Sequence, residues 1–247
     1  MNLNYLYMME SKVKKTVLIT GAARRIGRAL AINFCNKGWR VLLHYNTSEN
    51  EANSVKEMFP DQVHLLQADL RNEDDINDMF ANIKENSIDV LINNAAIFPD
   101  PLPFAEYTYE KYQNVINSNL FSVFLVSNRY VRTNKQGRII NFASLGAKEV
   151  WSGRSAYHAA KAGVEHLTRS MAKDLAPDFQ VNSISPGVIE IPGDDTDDKS
   201  IAFENRIPMK RFGNTDDIFD AVYFFSTCSK YITGQDLSVD GGWNKTR

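Results

Sequence analysis

The chain has 247 residues, 43% hydrophobic and 23% charged, which suits one large α/β core and matches the soluble globular average. A formal net charge of −2 without a long Lys/Arg run argues against nucleic-acid binding. Two distant cysteines, Cys35 and Cys228, argue against a disulfide framework or zinc cluster, and no stretch is apolar for long enough to span a bilayer, so a cytoplasmic protein with no metal is expected.

Residues 1–12 read as a flexible extension whose apolar patch, Tyr5 to Met9, is too short for a signal-peptide core. Residues 13–247 read as one domain. Short β-branched runs predict strands over 16–20, 40–45, 63–67, 90–93, 138–142, 181–185 and 237–239, several of them apolar throughout, as strands covered on both faces are. Between them, helical periodicity predicts helices over 25–37, 49–58, 73–84, 108–132, 155–175 and 215–227. Gly38 supplies a stop signal, and Asn72 followed by Glu73 and Asp75 a start signal. This alternation predicts a single Rossmann-type doubly wound parallel sheet with helices on both faces and functional residues just after the strands. The acidic stretch Asp194 to Asp198 reads as a solvated loop or as a lid over the substrate.

After the first strand comes Thr20-Gly21-Ala22-Ala23-Arg24-Arg25-Ile26-Gly27, whose small residues let the backbone and a helix N-terminus approach a pyrophosphate. The second strand ends in His44-Tyr45-Asn46-Thr47-Ser48. A carboxylate at this tip would bind a ribose 2′-OH and repel a 2′-phosphate. Its absence, with hydroxyls at Thr47 and Ser48 and the cation Arg24 nearby, points to NADPH. The alternative is NADH with Glu49 folded back to the ribose. Asp69-Leu70 follows the third strand, Asn94-Ala95-Ala96 the fourth and Ser144 the fifth. Tyr157 and Lys161, four residues apart, share one helical face, where an ammonium can ease proton release from a phenol.

Together these motifs resemble the short-chain dehydrogenase/reductase family over residues 15–243. Gly21 and Gly27 match the outer glycines of its TGxxxGxG loop, with Arg25 at the middle one. Asn93-Asn94-Ala95-Ala96 is similar to its NNAG element, and Asn119, Ser144, Tyr157 and Lys161 match its catalytic tetrad. The resemblance implies a Tyr157 proton donor, a polarising Ser144 and an Asn119 that positions a helix backbone and a water. It also implies Asp69 at the adenine, Pro186, Gly187 and Val188 beside the nicotinamide, and a homotetramer.

Within the family, the Arg24-Arg25-Ile26-Gly27 run, His44-Tyr45 and Phe98 look like the pteridine reductase branch, which includes dihydromonapterin reductase. That likeness implies a pterin stacked on Phe98 with Arg25 bonding its heteroatoms, although Ser144 stands where protozoan members carry Asp. A pterin is the leading substrate expectation. The alternatives are another carbonyl compound, such as a sugar or 3-oxoacyl thioester, and a non-catalytic NADP(H)-sensing regulator.

Overall fold

A computed structural model describes residues 14–83, 88–191 and 204–245. The expected extension over 1–12 and the acidic stretch Asp194 to Asp198 lie outside the described residues.

Strands β1 (Thr16–Ile19), β2 (Arg40–Tyr45), β3 (Val63–Gln67), β4 (Val90–Asn93), β5 (Gly137–Phe142), β6 (Phe179–Pro186) and β7 (Asp236–Val239) form one seven-stranded sheet in the order β3-β2-β1-β4-β5-β6-β7. All pairings are parallel. Helices α1 (Arg25–Asn36), α2 (Glu49–Met58), α3 (Glu73–Ala81), α4 (Tyr109–Ile116), α5 (Ser122–Thr133), α6 (Ser155–Asp174) and α7 (Thr215–Thr227) supply the crossovers.

Alternate faces of the strands divide the core in two. Val17, Ile19, Val41 and Leu43 pack beneath Leu30 and Phe34 of α1 and Val222 of α7. Leu18, Leu42 and Leu91 pack on the opposite side against Met79 of α3 and Val126 and Tyr130 of α5. Strands buried on both faces need apolar residues at successive positions, which explains the unbroken apolar runs.

The local signals behave as their chemistry requires. Asn72 accepts the Asp74 N–H at the start of α3, Asn214 and Asp217 close a capping box on α7, and Gly38 ends the α1 turn at φ +81°.

One expectation needs correction. The single helix expected over 108–132 is α4 and α5 joined by a π-helical turn, Asn117–Phe121. No Gly or Pro marks this turn, and the apolar periodicity runs through it. Its centre is Asn119, fully buried and bonded to a loop outside the helix.

The reversal of strand order falls between β1 and β4, so the crevice at their carboxyl ends receives the loops after both strands.

Candidate active site

The turn after β1 is stitched to the end of β4. Thr20 Oγ1 donates to the Ile92 carbonyl at 3.3 Å and accepts the N–H groups of Asn94 and Ala95, both at 3.0 Å. Asn94 Nδ2 returns hydrogen bonds to the carbonyls of Thr20 and Gly21 at 2.9 and 3.1 Å. Gly21 sits at φ +62°, and a Cβ there would lie 2.9 Å from Ala95 Cα. At Gly27 a Cβ would run into the Gly21 carbonyl oxygen and stand 2.7 Å from Asn94 Nδ2. Both glycines are therefore required by close backbone approach.

Arg25, at the position of the family's middle glycine, keeps a left-handed backbone at φ +52°. Arg24 and Arg25 are exposed, Ile26 is half-buried and packs on the core, and α1 begins at Arg25. The loop thus presents two cationic side chains around the first turn of a helix.

Two polar groups hold this loop in ways the sequence alone did not show. Thr20 is one. The other is His44, buried in β2, whose Nδ1 accepts the Gly21 N–H at 3.0 Å while Nε2 faces the Ala68 carbonyl at 3.1 Å.

At the end of β2 Tyr45 is half-buried, Asn46 and Thr47 beyond it are exposed, and Ser48 is the residue before α2. Glu49 is exposed in the first turn of that helix. Asp69 is engaged by Arg71, whose Nη2 lies 2.5 Å from Oδ2, and this cation holds the carboxyl below the usual range. Arg71 also reaches Asn114 at 2.9 Å. The Leu70 side chain belongs to the core. Asn93 serves the scaffold, donating to Ser127 at 2.9 Å and Asn141 at 2.8 Å inside the sheet.

The loops after β4 and β5 carry the rest. Asn119 clamps Ile97, accepting its N–H at 2.8 Å and donating to its carbonyl at 3.0 Å, which fixes the chain entering Phe98. Ala96 and Phe98 are exposed and Ala95 half-buried, so small and aromatic surface borders the crevice. Ser144 is buried, and its Oγ accepts the Gly146 N–H at 3.0 Å. Lys148 pins the following loop, bridging Glu165 of α6 at 2.7 Å and Asp236 of β7 at 2.5 Å.

Tyr157 and Lys161 are both buried on α6. Burial pushes the Tyr157 phenol up, while a hydrogen bond with Ser144 and the charge of Arg154 pull it down. Lys161 Nζ donates to the Phe142 carbonyl at 2.7 Å and lies 5.9 Å from the Tyr157 ring centre. Burial lowers Lys161 to about 8. A second cation, Arg154, lies near the phenol beside Lys161, and the sequence reading did not single it out. Its signal was its position one helical turn before Tyr157.

Pro186, Gly187 and Val188 leave β6 half-buried, with the Gly187 N–H bonded to Val239 at 2.9 Å. A Cβ on Gly187 would lie 2.8 Å from Asp240 Cα. Of the expected site residues, Ser144 follows β5, Lys161 bonds the Phe142 carbonyl at the end of that strand, and Tyr157 meets Phe98, whose loop Asn119 holds through Ile97. The loop of Gly21 to Gly27 follows β1 and is joined to the end of β4 through Asn94.

The family model described as Enoyl-(Acyl carrier protein) reductase matches residues 21–244. The chain is 34% identical over 243 residues to the 3-oxoacyl-[acyl-carrier-protein] reductase FabG of Staphylococcus epidermidis, covering 93% of this chain and 99% of the relative. It is also 34% identical over 248 residues to the enzyme of that name from Aquifex aeolicus, covering 95% and 99%. Among solved structures, a candidate gluconate dehydrogenase from Agrobacterium tumefaciens superposes with a TM-score of 0.87 at 29% identity, covering 94% of this chain and 97% of the other. A double mutant of a Serratia marcescens short-chain dehydrogenase/reductase gives 0.84 at 26% identity, covering 93% and 98%. A seven-stranded parallel sheet, a glycine-lined turn at its switch point, a buried Ser-Tyr-Lys cluster and full-length relatives converge, and the chain belongs to the short-chain dehydrogenase/reductase family of nicotinamide-dependent oxidoreductases.

Proposed function

We propose that the protein is an NADPH-dependent reductase of a polarised C=O bond and that its substrate class is a 3-oxoacyl thioester. The observation that carries the chemistry is the burial of Ser144, Tyr157 and Lys161 at the carboxyl end of the sheet, with Lys161 Nζ bonded to the Phe142 carbonyl at the end of β5. The name shared by the Staphylococcus and Aquifex relatives supports the substrate class.

The residues present suit a dinucleotide. Added Cβ atoms would collide with backbone at Gly21 and Gly27, so the turn offers bare main chain beside the N-terminus of α1. Gly21, Arg24, Arg25, Ile26 and Gly27 would hold the pyrophosphate. Tyr45, Asn46, Thr47 and Ser48 would line the 2′-phosphate side, while Asp69 and Leu70 would border the adenine through a carboxylate and main chain. Asn94, Ala95, Ala96, Pro186, Gly187 and Val188 would flank the nicotinamide half. An exposed Arg24 and Thr47, with no carboxylate at the tip of β2, support NADPH over NADH. When bound, the cofactor supplies the hydride.

The protein's own groups do the rest. Ser144 Oγ holds the substrate oxygen, and the Tyr157 O–H gives that oxygen its proton as the carbonyl carbon becomes tetrahedral. The Lys161 ammonium stabilises negative charge on the phenol oxygen. Asn119 is a positioning residue, fixing Ile97 and the loop that carries Phe98.

A second reading, reduction of a pterin C=N bond, draws on Phe98. Its ring is 54% exposed at the mouth and meets Tyr157 edge-on at 4.9 Å, which suits a flat heterocycle. NADPH oxidation measured with acetoacetyl thioester, dihydropterin and simple ketones separates the readings. Faster turnover of dihydropterin than of the thioester would overturn the first. Tight NADPH binding without any turnover would instead support a sensor. Exposed Phe121 and Phe124, on α5 and the turn before it, suit a contact between copies of this chain, which supports the homotetramer reading that sedimentation would test.

A further inference from the structure

Arg154 is the last residue before α6, one helical turn ahead of Tyr157. Its guanidinium carbon stands 4.0 Å from the centre of the Phe98 ring, and that ring meets Tyr157 edge-on with centroids 4.9 Å apart at 84°. The three side chains form a continuous wall from the proton donor outward.

The wall is built by clasping two loops together. Leu102 donates its N–H to the Gly153 carbonyl at 3.0 Å, and the Tyr107 hydroxyl reaches the same oxygen at 3.3 Å. Gly153 adopts φ +76°, where an added Cβ would lie 2.9 Å from both Leu102 N and Pro101 Cβ. The chain after β4 is thereby docked on the residue just before Arg154, which brings Phe98 under the guanidinium.

One guanidinium nitrogen in this wall is unspent. Arg154 Nη1 is buried and has no hydrogen-bond partner among the described residues. A buried charged donor left unpaired has lost its water without compensation, so an acceptor arriving there is strongly favoured. The Phe98 face beneath the guanidinium holds it beside the ring that meets Tyr157.

We propose that Arg154 is a specificity-determining residue that binds a second oxygen acceptor of the substrate, close to the bond being reduced. The inference rests on the reading of the protein as a reductase. In a 3-oxoacyl thioester the second acceptor is the thioester carbonyl, two carbons from the reacting ketone. A monoketone has nothing to offer the guanidinium and is discriminated against.

The test compares kcat/KM for acetoacetyl-N-acetylcysteamine and for a monoketone of matched length, in wild type, Arg154→Met and Arg154→Lys. NADPH affinity is followed by fluorescence as a check on folding. In Arg154→Met the preference for the thioester falls at least about tenfold, chiefly through KM, while NADPH affinity is retained. Arg154→Lys, with a charge but no planar fork, gives an intermediate preference and serves if the methionine variant does not fold. An unchanged preference in the folded variants would overturn the inference. If wild type reduces dihydropterin and not the thioester, the substrate reading fails. The role of Arg154 is then read from dihydropterin, whose ring carbonyl is the second acceptor, against the same monoketone.

Discussion

His44 Nδ1 accepts the backbone N–H of Gly21 at 3.0 Å, so an imidazole in β2 supports the turn that follows β1. Its Nε2 faces the Ala68 carbonyl at 3.1 Å, which places the ring hydrogen on Nε2 and leaves Nδ1 as the acceptor. Only the neutral ring can do both. Burial drives its pKa from the ordinary 6.5 to about 4.

The stability consequence has a definite sign. The unfolded chain binds the proton more readily, so His44's contribution is whole above about pH 6.5 and is lost as pH falls towards 4. The shift corresponds to something on the order of 3 kcal/mol. Urea denaturation across this window should show a declining stability in wild type and a flatter profile in His44→Phe. NADPH affinity in that variant should fall about tenfold, because the Gly21 N–H loses its acceptor.

Replacing the Tyr157 hydroxyl removes the proton donor without touching the dinucleotide turn. Tyr157→Phe should lower kcat by at least about 100-fold, with NADPH affinity nearly unchanged. Stopped-flow kinetics and fluorescence titration report the two quantities separately. Near-normal turnover would place proton donation elsewhere.

Lys161 is a buried ammonium with one carbonyl partner at 2.7 Å. Its ionised form is costly, as its fall to about 8 reflects. Stability from this residue should rise with pH above about 8, where the unfolded lysine still holds its proton. Lys161→Met should abolish turnover and weaken NADPH binding, yet melt no lower than wild type. A clear loss of melting temperature would contradict a net cost for the buried charge.

Arg25 occupies a left-handed backbone at φ +52°. Such a conformation costs an L-residue about 1–2 kcal/mol and glycine almost nothing. Arg25→Gly should therefore melt at or above wild type while binding NADPH several-fold more weakly. If both properties fall together, the side chain rather than the backbone governs this turn.

The strands were legible because each needs a β-branched or apolar run, and the observed strands overlap those runs with small shifts at the ends, such as Gly137 and Phe179 joining β5 and β6. The glycines of the turn and the Tyr157–Lys161 spacing were legible for a similar reason, since main-chain clearance and helical phase leave local marks. The residues that stayed hidden depend on distant partners. The support that His44 gives Gly21 shows only when β1 is laid beside β2, and Arg154 reads as a loop cation until Phe98 arrives from the β4 side. Asp69 was legible by its place after β3, while its local tie to Arg71 shows only in the formed turn.

The π-helical turn at Asn117–Phe121 works as a phase shifter. Each extra residue rotates the helix beyond it by about 100° relative to a regular helix. Val115, before the turn, packs with Tyr157 and Ala156, whereas Val126 and Tyr130, after it, pack beneath the sheet. A regular helix of one fewer residue would align these sets differently and force a choice between the catalytic wall and the core. Deletions in this segment should thus be tolerated less than their surface neighbours suggest, and any relative of a different length here must retune the faces of both helices.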